Sequence, residues 1–133
     1  MNLASAQKIV KIVPIEGADK IEVADVLGWS VVVGKGEFQE GGLAVYFEIY
    51  SWLDASNPAF KSFEPRFTNW GTKRGMRLKT IKLRKQVSQG LLMPISKFPE
   101  FGSAGGAIHW QMLLEEGLDV TEILKIEKWE PAE

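Results

Sequence analysis

From residue 7 to about residue 95, apolar and polar positions alternate with a period near two, the period of a strand. Residues 7–13 (QKIVKIV) mix β-branched residues with lysine and stop at Pro14, where a strand ends. Residues 21–27 (IEVADVL) set Ile21, Val23 and Asp25 against Glu22, Ala24 and Val26. That alternation is imperfect and predicts a strand buried partly on both faces. Residues 29–33 (WSVVV) and 43–49 (LAVYFEI) give two further strands, and EGAD (16–19) and QEGG (39–42) read as turns. Residues 51–74 break the period with Asn57, Pro58, Pro65, Asn69 and Gly71, which predicts a long loop. It carries Trp52, Phe60, Phe63, Phe67 and Trp70, more aromatic mass than an idle loop needs.

The period returns in RLKTIKLR (77–84) and slips once. One extra residue near Lys79 and Thr80, a β-bulge, restores it. The strand then has an apolar face of Leu78, Ile81 and Leu83 and a cationic face of Arg77, Lys79, Lys82 and Arg84. A turn over 86–90 leads into a strand over 91–95. After GSAGG (102–106) the spacing becomes helical in IHWQMLLEE (108–116), which stops at Gly117. DVTE (119–122) reads as a capping box opening a second short helix over 120–126. The class is all-β with minor α: a five-stranded OB-fold barrel plus one or two short C-terminal helices, with an SH3-like barrel as the alternative. The chain reads as one domain, 1–133, with its core at about 6–100 and a helical extension at about 107–128.

The 133 residues are 45% hydrophobic and 25% charged, as in an ordinary globule. There is no cysteine, hence no disulfide and no thiolate metal site. No apolar stretch approaches the ~20 residues of a membrane span, and the N-terminus shows no signal peptide. The expectation is an intracellular protein without a membrane partner.

Charge changes the picture more. The formal net charge is -1, yet seven of the 16 cations fall between Lys73 and Lys85, where there is no Asp or Glu. They are Lys73, Arg74, Arg77, Lys79, Lys82, Arg84 and Lys85. Cations two apart on a strand stand ~6.5 Å apart, close to the ~7 Å of two phosphate spacings. This predicts a polyanion-binding face, with Phe67 and Trp70 just upstream as stacking platforms for bases. The competing reading is a solvated edge strand guarded by its cations. GKGEF (34–38) lacks the third glycine and helix of a dinucleotide site and reads as a hairpin turn. His109, the only histidine, lies in the helical stretch 108–116 beside Trp110 and reads as a packed or surface residue; no Ser-His-Asp system can be argued from it, and no second histidine or cysteine is there to share a metal. The scattered acids suggest no metal site.

Four stretches together resemble the N-terminal OB-fold module of the Naegleria/Deinococcus-type RNA ligases. They are IVPIEGADKIEVADVLGWSVVVGKGEF (12–38), VYFEIYSWL (45–53), RGMRLKTIKLRKQVSQGLLMPISKFPE (74–100) and DVTEILKIEKWEP (119–131). The resemblance implies a module that helps a ligase engage RNA ends or a nicked duplex, with RNA as partner. It also implies a separate nucleotidyltransferase domain, in cis or in trans, that holds ATP, Mg²⁺ and a nucleotidyl lysine. No lysine here stands in a K-x-x-G motif, so this chain alone is expected to hold no cofactor and not to be an enzyme. Two departures stand out: Lys85 occupies a position where the family usually has glycine, and residues 102–117 form a longer connection. The opening stretch also resembles tRNA-binding OB domains. A protein-interaction module docking on a catalytic domain is the remaining alternative.

Overall fold

The computed structural model describes residues 3–101 and 115–131. Its first strand is bent. β1 (Ala4–Lys8) and β2 (Lys11–Pro14) replace the single strand expected over 7–13. The chain changes partner at the bend: the Ile9 N–H donates to the Gly42 carbonyl, and the Val10 N–H donates to the Asp25 carbonyl. β1 therefore pairs with β5 (Leu43–Phe47), while β2 pairs with β3 (Ile21–Val26). β3 continues to β4 (Trp29–Gly34), and β5 also pairs with β11 (Leu91–Met93). The ring closes where the Gln89 N–H meets the Ser30 carbonyl at 2.9 Å and the Val32 N–H meets the Ser88 hydroxyl at 2.9 Å. With β1 and β2 counted as one bent strand, this is the five-stranded barrel of an OB fold.

β5 explains why LAVYF is nearly continuously apolar. Its alternation sends Ala44 and Tyr46 into the barrel with Ile9, Ala24, Val26, Val31 and Val33. It sends Val45 and Phe47 outward into a second core with Leu53, Phe60 and Phe98. Phe47, Phe60 and Phe98 meet pairwise with ring centroids 5.8–6.0 Å apart.

That second core corrects the expected loop over 51–74. The segment holds β6 (Ser51–Asp54), a 3₁₀ helix (Pro58–Arg66), β7 (Thr68–Trp70) and the start of β8 (Lys73–Arg77). Asn57 and Pro58, which break the period in sequence, are the cap and first residue of the 3₁₀ helix: the Asn57 side chain accepts the Ala59 N–H at 3.0 Å.

The expected basic strand with a bulge is also corrected. β8 ends at Arg77, and a separate hairpin follows of β9 (Ile81–Leu83) and β10 (Gln86–Ser88). Arg84 and Lys85 are the hairpin's two turn residues, at φ 47° and 68°. Ile81 and Leu83 are exposed rather than core-facing, although Leu78 is buried as expected.

At the C-terminal end, residues 117–120 run along the free edge of β1. The short helix expected over 120–126 is instead one turn. Its end has the hydrogen bonds of a Schellman cap, Ile126 N–H to the Thr121 carbonyl and Lys125 N–H to the Glu122 carbonyl, with Lys125 at φ 55°. β12 (Glu127–Lys128) then pairs with β6, completing a sheet of order β12-β6-β8-β7. The helix expected around His109 lies outside the described residues.

Candidate nucleic-acid interface

The seven clustered cations fall into two structural groups. Lys73, Arg74 and Arg77 sit on β8, where the C-terminal segment already engages two of them. The Lys73 ammonium pairs with the Glu127 carboxylate and lies 5.2 Å from the Trp70 ring centre. The Arg77 guanidinium stacks 4.1 Å over Trp129. The Trp70 indole N–H donates to the Glu130 carbonyl at 2.9 Å, and the Trp129 N–H donates to the Tyr50 carbonyl. Arg74 is exposed, with Nη1 3.4 Å from the Asn69 side-chain oxygen. Exposed ion pairs of this kind are worth at most about 1 kcal/mol, so a phosphate can compete for Lys73.

The second group is Lys79, Lys82, Arg84 and Lys85, all exposed on or beside the β9–β10 hairpin. The pairing is Leu83 with Gln86, Lys82 with Val87 and Ile81 with Ser88. Positive φ at both turn residues marks a type I′ turn, whose twist suits a hairpin. The turn projects Arg84 and Lys85 from the tip. Across from it is the turn between β2 and β3. A cleft of about 620 Å³ is lined by Pro14, Ile15 and Glu16 on one side and Arg84, Lys85 and Gln86 on the other. Arg84 Nη1 reaches to 3.8 Å from where a Cβ on Gly17 would stand. This hairpin sits in the connection between the fourth and fifth barrel strands, facing the connection between the first and second. In OB folds those two connections flank the oligonucleotide site.

The expected stacking platforms are engaged in the fold. Phe67 is half-buried against the second core. Trp70 packs against Trp52 in a tilted pair with centroids 5.2 Å apart and is tied to Glu130. Sequence reasoning does not find Trp129 as the partner of Arg77, nor the cleft opposite Arg84. Nothing in the local pattern signals either contact, because each joins segments far apart in the chain.

The carboxylates nearby are structural. Burial pushes the Asp54 carboxyl up, but hydrogen bonds from the Ser56 backbone and hydroxyl and from Trp52, with Lys73 close, leave it below the usual aspartate value. Hydrogen bonds from the Thr121 hydroxyl and N–H hold Asp119 low as well. Among the described residues no group of three or more His, Cys, Asp or Glu could hold a metal ion, and no helix is long and apolar enough to cross a membrane.

A family described as an OB-fold domain matches residues 3–95. The structure of Naegleria gruberi RNA ligase with PPi matches at a TM-score of 0.84 and 41% identity, covering 99% of this chain and 36% of that one. Two variants of the same ligase, one apo and one with AMP and Mn, match at a TM-score of 0.85 with 40% and 41% identity and the same coverage. This chain thus spans about a third of the length of the ligase chains it matches. No curated protein matches it.

Proposed function

Because the chain belongs to the OB-fold domain family, and its fold matches part of an RNA ligase, we propose that it is the nucleic-acid-binding module of such a ligase. In this reading it holds RNA ends or a nicked duplex for a nucleotidyltransferase domain. The observation that carries the reading is the β9–β10 hairpin, which displays Lys79, Lys82, Arg84 and Lys85 beside the turn between β2 and β3. No acidic residue lies between Lys73 and Pro99 in the sequence, and Glu16 is the one acid lining the cleft that Arg84 and Lys85 face. A polyanion is the ligand that four such cations fit, and contacts to phosphate position a strand without reading its bases.

ATP and Mg²⁺ belong, in this reading, to the nucleotidyltransferase domain. What supports this is the sequence, in which no lysine stands in a K-x-x-G motif. Incubated with ATP and Mg²⁺, the chain alone is expected to form no lysine–AMP adduct, which intact-mass measurement reads directly.

The binding test is a titration of labelled nicked RNA duplex at two salt concentrations. Lys79→Ala, Lys82→Ala, Arg84→Asn and Lys85→Gly are combined in one variant. Removing one cation from a phosphate lowers the salt slope by about one unit, so the variant binds more weakly and its slope falls by about four units. If the wild type binds only an added nucleotidyltransferase domain, and not RNA, the basic hairpin is a protein-docking surface instead.

A further inference from the structure

The hairpin's apolar side chains have no role in a reading built on cations alone. Alternation within RLKTIKLR assigns Ile81 and Leu83 to a core, yet they are 38% and 41% exposed. Val87, paired with Lys82 and so on the opposite face of the ribbon, is 41% exposed. A ribbon with three strand residues on each side thus holds three branched aliphatic side chains partly in water, interleaved with Lys82, Arg84 and Lys85. Departures from a buried pattern of this kind concentrate at functional sites.

The charge around these side chains narrows what covers them. Every charged residue from Lys73 to Pro99 is cationic, and Glu16 is the one acid lining the facing cleft, so the ribbon's complementary surface is an anionic one with apolar ground between its charges. A nucleic-acid groove has that construction, with sugar edges between two phosphate rows. A two-stranded ribbon fits the major groove of B-form DNA, and the A-form minor groove is wide and shallow, with ribose and base edges open to a ribbon lying along it. The ribbon offers no stacking surface for an unpaired base, since residues 71–97 contain no Phe, Tyr or Trp. A protein interface is less well served. Three half-exposed aliphatic side chains are few beside the roughly 20–30 residues a side of a standard interface.

Resting on the nucleic-acid reading above, we propose that the β9–β10 ribbon seats in a groove of a double helix, with Ile81, Leu83 and Val87 against the sugar edges. Lys82, Arg84 and Lys85 reach the flanking phosphates. The apolar contacts supply a part of the affinity that salt does not screen.

The test compares wild type with an Ile81→Thr, Leu83→Thr, Val87→Thr variant, which keeps strand propensity while removing apolar surface. Labelled nicked RNA duplex is titrated at four salt concentrations, with thermal melts of each protein alongside. Leu83→Thr alone is carried as a second variant in case the triple change unfolds the hairpin. The expected result is roughly tenfold weaker binding at every salt for the triple variant, and a smaller loss for the single one, with the salt slope unchanged. Wild-type affinity in both variants overturns the ribbon proposal and leaves the nucleic-acid reading standing. A loss confined to low salt, with a shallower slope, also overturns it, because the side chains would then act only by positioning cations. If the wild type binds no duplex at any salt, the nucleic-acid reading fails and the ribbon proposal with it.

Discussion

Gly75, on β8 in the sheet beneath the basic surface, leaves no room for a side chain. A Cβ there would stand 2.2 Å from the Leu53 carbonyl oxygen and 3.0 Å from the Trp52 ring. Backbone cannot yield as a flexible side chain does, so Gly75→Ala is expected to cost about 3 kcal/mol, the upper end for overpacking. The denaturant midpoint reads this. Thr121 is the second decisive residue, because its buried hydroxyl oxygen accepts the N–H groups of both Leu3 and Ala4 at 3.0 Å. Thr121→Val keeps the shape and removes that buried acceptor, at about 2 kcal/mol. Neither role is legible in the sequence. Thr121 reads there only as part of a capping box, and Gly75 only as a residue within the basic run. Part of the capping pattern is present in the fold: the Asp119 side chain accepts the Thr121 N–H, at 2.9 Å.

At the scale of elements, the apolar pattern locates β3, β4, β5 and β11 because each sends side chains into the barrel core, β5 and β11 into the second core as well. It fails over 51–85 because that segment builds a second core and a hairpin, and both change the period. The hairpin is hard to see in sequence because its turn residues are Arg84 and Lys85 rather than the Asn-Gly pair that marks a type I′ turn. A non-glycine residue in the left-handed region costs about 1 kcal/mol or more. Arg84→Asn with Lys85→Gly therefore removes two charges while relieving strain. The melting temperature of that variant should match or exceed wild type, and its salt slope for RNA should fall by about two units. A variant that binds less and also melts lower would mean that these two cations hold the fold. The family resemblance gives glycine as the usual residue at position 85, which agrees with the backbone seen there, φ 68°.

At the scale of the molecule, the described residues form a barrel with the C-terminal segment strapped across β6 and β8, and their stability depends on pH through four buried or hydrogen-bonded groups. Asp54 and Asp119 both titrate below the ordinary aspartate value. Groups depressed in the folded state add stability above their unfolded value, and that stability is lost as pH falls through the folded one. Glu48, which burial raises, acts oppositely and offsets part of this. Tyr46 is raised by burial and then by Glu48, so its contribution is present below the ordinary tyrosine value and is lost as pH rises past it. Thermal melts should thus show a neutral plateau, an acid fall below about pH 4 and an alkaline fall above about pH 10. The barrel and the basic cluster are readable from patterning and charge. The division of that cluster into a strapped group and a projecting group is not, since it depends on Glu127 and Trp129 returning from the far end of the chain. The most direct test of the nucleic-acid reading is amide chemical-shift mapping of the ¹⁵N-labelled chain as nicked RNA duplex is added. The largest shifts are expected over residues 79–88 and in the facing turn over 14–20, with smaller ones on β8. Shifts that spare the hairpin, or a spectrum unchanged at saturating RNA, would contradict it.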